Sequence, residues 1–213
     1  MSYKKTRLIP SRHPDTTAQT VFVNFIFETI YQSNFDGDVV LFLDPVHQVH
    51  NIDSDYCWQL VGGANTKKVN SNSGRQRLTI LGALNALTKK TTIFSTESNC
   101  DHYAMQVFLR EIRNDYPDPK IIYIFLDNAR YNHSVAVREE AEALGIKLLF
   151  LPPYSPNLNL IERLWKFMKK KVTANIYYRT FAEFTQAIHN FFKNIEQYQT
   201  ELDTLLTLNF EII

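Results

Sequence analysis

Six consecutive apolar residues, Ile121 to Leu126 ("IIYIFL"), run straight into a carboxylate, Asp127, and then into the polar break Asn128-Ala129-Arg130. A run this short, rich in β-branched and aromatic side chains and without polar alternation, predicts a strand buried on both faces of a sheet. That requirement narrows the chain to architectures in which other elements cover the sheet on each side. In open α/β sheets ligand chemistry gathers at the carboxyl ends of strands, which is where Asp127 falls. Taken alone, Asp127 fits better as an ordinary cap or turn-forming aspartate, and the rest of the chain has to shift that balance.

The remaining elements alternate around this strand. "HPDTTAQTVFVNFIFETIYQS" carries Val21, Phe25, Ile26 and Ile30 at helical spacing, with Asp15 or Thr16 available as N-cap, and predicts a leading helix. "DVVLFLDP" predicts a buried strand stopped at Asp44 and Pro45. "DYCWQLVG" and "RQRLTILGALNA" read as two further strands separated by the turn-rich loop "GGANTKKVNSNSG", and "TTIFSTES" as a short fourth. Tyr103, Val107, Phe108 and Ile112 then mark a helix ended near Pro117. After the strand at 121–126 come a helix in "SVAVREEAEALG" closed by Gly145, a strand in "IKLLFLPP" and a final pair of helices. The expected order is antiparallel strands first and alternating strand and helix units afterwards.

With 213 residues, 45% hydrophobic and 21% charged, the chain can bury one substantial core, and one domain is the default. We expect residues 1–33 to form an N-terminal linker and leading helix, and 34–213 the main domain. No apolar run approaches a membrane span, and the N-terminus lacks the apolar centre of a signal peptide, so a cytoplasmic location without membrane association is expected. Cys57 and Cys100 show no CxxC or zinc spacing and are expected as free thiols in or near the core.

The segment "LPPYSPNLNLIERLWKFMKKKV" carries the most information. Ser155-Pro156 suits a helix start, and Asn159 with Glu162 three residues later resembles a capping box. Ile161, Leu164, Trp165, Met168 and Val172 form the expected buried stripe, while Glu162, Lys166 and Lys169 lie on another face. Six basic residues against one acid occur from Glu162 to Arg179, and five acids against Lys193 follow from Glu183 onward. A basic stripe of this kind suits a polyanion site, and it also suits a solvated helix face. Glu162 by itself could simply pair with Lys166.

Three carboxylates therefore stand out: Asp44 and Asp127 at strand ends, and Glu162 in the first turn of a helix. Hard divalent cations take oxygen ligands, and two magnesium ions about 4 Å apart can clamp the attacking and leaving oxygens of a phosphodiester. His47 and His50, three apart beside Asp44, suit local shaping of the site edge better than magnesium ligation, since imidazole favours softer metals.

The ordered blocks "LFLDPVHQVHN", "GRQRLTILGAL", "YIFLDNARYNHS" and "LPPYSPNLNLIERLWKFMKKKV" resemble the catalytic domain of mariner-like DDE transposases of bacterial insertion sequences. The resemblance runs from about residue 13 to the C-terminus, and the last block is its most specific part. Asp127 and Glu162 are separated by 34 residues (162 − 127 − 1), the spacing of that family.

The resemblance implies a ribonuclease H-like fold, a mixed five-stranded sheet flanked by helices. It also implies that Asp44, Asp127 and Glu162 are catalytic and bind two Mg2+ ions, with Mn2+ able to substitute. Asn128 and His133 match the family's "DNA..H" stretch and are implied to support substrate or ligand geometry. Lys166, Lys169 and Lys170 are implied to bind DNA backbone. The implied activity is metal-dependent strand cleavage and strand transfer on transposon ends and target DNA, nucleoid-associated in action, with a homodimer as a candidate assembly.

Two departures from the family pattern are visible: Pro45 follows Asp44 where many relatives carry an acid, and no helix-turn-helix is expected upstream. The second departure keeps open a truncated, non-catalytic regulator. A phosphohydrolase using Asp44 as nucleophile is a weaker alternative, because Val46 stands where a second aspartate is wanted.

Overall fold

The computed structural model describes residues 15–62 and 66–213. The helix α1 (Thr16–Asp36) leads into β1 (Val39–Val49), β2 (Arg77–Asn85) and β3 (Thr91–Thr96). These are followed by α2 (His102–Asp115), β4 (Ile122–Leu126), α3 (Val135–Ala143), β5 (Ile146–Phe150), α4 (Ile161–Val172), α5 (Phe181–Lys193) and α6 (Gln199–Leu205). The five strands form one sheet in the order β3-β2-β1-β4-β5. β1, β2 and β3 pair antiparallel, whereas β4 pairs parallel to β1 and β5 parallel to β4. This mixed sheet flanked by helices is the ribonuclease H-like arrangement expected from the sequence.

The alternation of side chains splits the core into two layers. Val40, Phe42 and Val46 of β1, Leu78 and Ile80 of β2 and Phe125 of β4 face α1, α4 and α5. Leu41, Leu43, Leu81, Ile122, Ile124 and Leu126 face α2 and α3. Both faces being covered is why the 121–126 run has no polar alternation. Ile26 and Ile30 of α1 belong to the first layer, and Asp15 caps that helix by accepting from the amides of Thr17 and Ala18 at 2.9 and 3.0 Å.

Three expectations are corrected. Residues 55–62 ("DYCWQLVG") form no strand; Tyr56, Trp58, Leu60 and Val61 are exposed there, so the apolar run lacks a sheet to join. β1 does not stop at Asp44 but continues through Pro45 to Val49, paired with β2 as far as Val49↔Arg77. Its pairing with β4 ends earlier, at Phe42↔Phe125, so Pro45 lies where one side of β1 is already an edge, a place that tolerates a missing N–H. Cys57 is exposed rather than near the core; both cysteines are free thiols, and Cys100 is half-buried.

Candidate active site

The register of the parallel pair places two of the carboxylates side by side. Phe42 is level with Phe125, and Asp44 and Asp127 each follow two residues later on the strand or just past its end. Both therefore continue the face that carries Phe42 and Phe125, whose rings stack 5.4 Å apart. That face is covered by α4, whose buried side, Ile161, Leu164, Trp165, Phe167, Met168 and Val172, docks into the same core layer. Docking this stripe turns Glu162, in the first turn, toward the strand ends. The strand order reverses between β1 and β4, and a crevice is expected at such a switch point.

Asp44, Asp127 and Glu162 together line one open cleft of about 520 Å³, with Asn128, Ala129, Leu151, Asn159 and residues 153–156. The Asp44 carboxyl is pushed up to about 8, first by burial and then by the negative charges of Glu162 and Asp127; the indole N–H of Trp165, donated to Oδ2 at 3.2 Å, opposes this. Glu162 is raised by burial and by Asp127, while Lys166 and Lys169 pull it down. The three groups are thus close enough to sense each other as crowded negative charge.

The loop after β4 is built around Asp127. Its Oδ1 accepts from the Ala129 amide at 3.1 Å, an Asx turn, and from Nδ2 of the fully buried Asn132 at 2.9 Å. Asn128 lines the cleft, and its Nδ2 donates to the Leu151 carbonyl, tying the β4 loop to the segment after β5. His133 is not among the residues lining that cleft. It stacks on Phe150 with ring centroids 4.0 Å apart, and its Nδ1 lies 3.2 Å from the Arg138 guanidinium.

The capping box expected from Asn159 and Glu162 is not formed. A short 3-10 turn over Pro156–Leu158 precedes α4, and Asn159 instead donates from Nδ2 to the Leu43 carbonyl at 3.0 Å. That bond fastens the start of α4 to β1 immediately before Asp44. A second cleft of about 720 Å³ shares Pro156, Asn159 and Glu162 with the first and continues past Arg163 and Lys166 to residues 204–213. Lys166 and Lys170 are exposed and Lys169 is half-buried, so all three remain on the solvent side of α4.

Neither histidine near Asp44 reaches the cleft. The His47 ring meets the Thr79 hydroxyl at 3.1 Å and is lowered by burial and by Arg77; the His50 ring meets the Tyr178 carbonyl at 3.0 Å and packs against Phe181 and Phe184. Among the described residues no three His, Cys, Asp or Glu side chains close on a single cation site. The carboxylates form an open, oxygen-only set, which suits a hard cation that keeps water or substrate oxygens in its remaining positions. Sequence reasoning missed Asn132 and the contact of Trp165 with Asp44. Asn132 lies five positions after Asp127 with no periodic signal, and Trp165 carries a signal only as core.

The sheet topology and the carboxylates at its switch point define a ribonuclease H-like protein with an acidic cleft. Residues 39–185 match the model of the DDE superfamily endonucleases, and the chain belongs to that family. An uncharacterised protein of Sinorhizobium fredii (y4pE/y4sA) is 36% identical over 76 residues, 36% of this chain and 54% of that protein, so the chain spans about half the length of this relative.

Among solved structures, the Mos1 mariner paired-end complex with Mn superposes with a TM-score of 0.70 at 15% identity. The match covers 97% of this chain and 64% of that one. The Mos1 paired-end complex with the left transposon end gives 0.69 at 14%, with the same coverage. The isolated catalytic domain of Mos1 gives 0.58 at 12%, over 93% of each chain. At such identities these likenesses speak for the fold. No helix among the described residues is long and apolar enough to cross a membrane.

Proposed function

We propose that the chain is a transposase catalytic domain that cleaves and transfers DNA strands with the help of divalent cations held by Asp44, Asp127 and Glu162. One observation carries the proposal: three carboxylates, from within β1, from just past the end of β4 and from a facing helix, line one cleft, where burial and mutual repulsion force Asp44 up to about 8. Nothing in the fold requires such crowding, and cations would relieve it. Two Mg2+ or Mn2+ ions bound there would polarise the scissile phosphate and activate the attacking water or 3′ hydroxyl. Membership of the DDE endonuclease family and the metal-containing Mos1 complexes support the reading.

The protein's own groups have separable tasks. Asp44 supplies an anionic oxygen from within β1 and Asp127 from just past the end of β4, and Asn132 and the Ala129 amide hold Asp127 in one rotamer. Glu162 supplies the third from α4. Asn128 fixes the loop that carries Asp127, and His133, stacked on Phe150, supports the same loop from outside the cleft. Lys166, Lys169 and Lys170 lie along the exposed face of α4 next to Glu162 and would contact backbone phosphates, contributing affinity without sequence information. DNA is accordingly the proposed partner, with a homodimer as the assembly that would bring two ends together.

The test is nicking of supercoiled plasmid and strand transfer of a labelled 3′ end in Mg2+, Mn2+ and EDTA. Cleavage in either ion that EDTA abolishes is the expected result. Metal-dependent DNA binding without any cleavage would favour a non-catalytic regulator, and hydrolysis of a small phosphate ester that survives loss of Asp127 would favour a phosphohydrolase.

A further inference from the structure

The buried indole of Trp165 does more than fill the core. Its six-membered ring lies directly over Gly82, the residue of β2 that is in register with Asp44 of β1. A Cβ at Gly82 would stand 2.7 Å from Trp165 Cζ2, closer still to Cη2, and 2.9 Å from Ile161 Cδ1, so no other residue fits there without moving the indole. The glycine therefore creates a slot in the sheet face. Phe192 closes it from another side, edge-on to the indole at 6.1 Å between centroids. Held in this slot, Trp165 is 2% exposed and presents its only polar atom, Nε1–H, to Asp44 Oδ2 at 3.2 Å. Leaving that N–H unpaired in the core would be costly, so the contact has a preferred partner and a fixed direction.

We infer that Trp165, seated on Gly82, is a positioning residue for Asp44: it engages one carboxylate oxygen and leaves Oδ1 turned to a divalent cation. The inference rests on the proposed function, since it assigns Asp44 a cation. It also explains a spacing that helix packing alone leaves free. Trp165 follows Glu162 by three residues, so the turn of α4 that supplies one carboxylate also orients another.

The experiment uses the full chain carrying W58F, which leaves Trp165 as its sole tryptophan. Trp165 is replaced by 3-benzothienyl-alanine, which keeps the ring's shape and removes the N–H donor, and Mg2+ binding is followed by calorimetry. The indole cross-peak in a 1H–15N spectrum of the W58F protein, without metal, is the second readout. Expected are an indole proton protected from solvent exchange, displaced by D44N, and a Mg2+ midpoint raised about tenfold in the benzothienyl variant, the scale of one lost hydrogen bond to a charged group.

A purely packing role predicts unchanged Mg2+ affinity in that variant; a midpoint within twofold of the parent's would overturn the inference while leaving the proposed function standing. If the parent itself binds no Mg2+, both fall together. G82A gives an independent arm. It must push the indole out of its slot, and retention of parental Mg2+ affinity by a folded G82A protein would equally refute the role.

Discussion

Replacing Asp44 by asparagine should stabilise the metal-free protein, and the size of the gain follows from the burial of that carboxyl and from the acids crowded beside it. The carboxyl is held at about 8 in the folded state against 3.8 for the free group. Because the folded-state value is raised, the native protein binds the extra proton, and stability is lost as pH rises from about 4 through about 8. At pH 7 the unfolded chain has released that proton and the native state has not. The penalty is about 1.4 kcal/mol for each of roughly three pH units, a ceiling near 4 kcal/mol. Water entering an open cleft relaxes part of it, so a gain of about 2–4 kcal/mol is expected for D44N. The amide keeps an oxygen for the Trp165 N–H, so packing changes little.

Urea denaturation in EDTA should show the midpoint of D44N about 1 M above the parent's at pH 7, with an unchanged slope. The two should converge near pH 4. In millimolar Mg2+ the order should shrink or reverse, because only the parent gains binding free energy from the ion. A D44N protein no more stable than the parent at pH 7 in EDTA would show that Asp44 is not held at a cost by burial and its acidic neighbours, and the cation argument would lose its basis.

Asp127→Asn should lower plasmid nicking by at least about a hundredfold, since it removes an anionic ligand at the centre of the cleft while leaving an oxygen for the Ala129 amide; nicking near the parental rate in Mg2+ would remove Asp127 from the site. Asn132→Ala should cost about 1–3 kcal/mol in urea melts, because it deletes the buried donor to Asp127, and should slow cleavage by loosening that side chain. Replacing Lys166, Lys169 and Lys170 together by glutamine should reduce the slope of log affinity for duplex DNA against log salt by two to three, at roughly 0.9 per phosphate contact, with little change in fold stability; an unchanged slope in a salt titration would make these lysines a solvated face.

The places where the sequence reads clearly are those where one physical constraint acts alone. The run at Ile121–Leu126 is apolar on every residue because both sheet faces are covered, and it is the buried strand β4. The α4 stripe was legible because one face docks into a core and the other stays wet. Misreadings arose where two constraints compete. Residues 55–62 have strand-like composition, yet the sheet is complete with five strands and their aromatic side chains remain exposed. Asp44 and Pro45 look like a strand end, yet pairing with β2 carries the backbone on for five residues beyond Asp44 (49 − 44). Asn159 has the spacing of a cap, yet its amide reaches a carbonyl in β1, a partner 116 residues away that no local pattern could announce.

The same distinction separates the two halves of the site. Its acids are visible because ends of apolar runs and helix first turns are few in the sequence, and a carboxylate at each of three such places is unlike a random scatter. Its geometry is not, because it depends on Gly82 within β2, Asn132 in the turn after β4, Asn159 just before α4 and Trp165 within α4. Three of these hold an acid or its backbone, Trp165 and Asn159 acting on Asp44 and the residue before it and Asn132 on Asp127, while Gly82 makes room for Trp165. The supporting shell is thus uncharged and buried, while the acids it fixes carry a raised Asp44 and a raised Glu162. A core that only had to fold would discard those acids, since apolar substitutes at these positions would remove the repulsion at no cost to either hydrophobic layer. Retaining them in a rigid frame makes sense if positive charge enters the cleft during function, and the Mg2+ dependence of the D44N stability difference tests that claim without requiring that any DNA be cut.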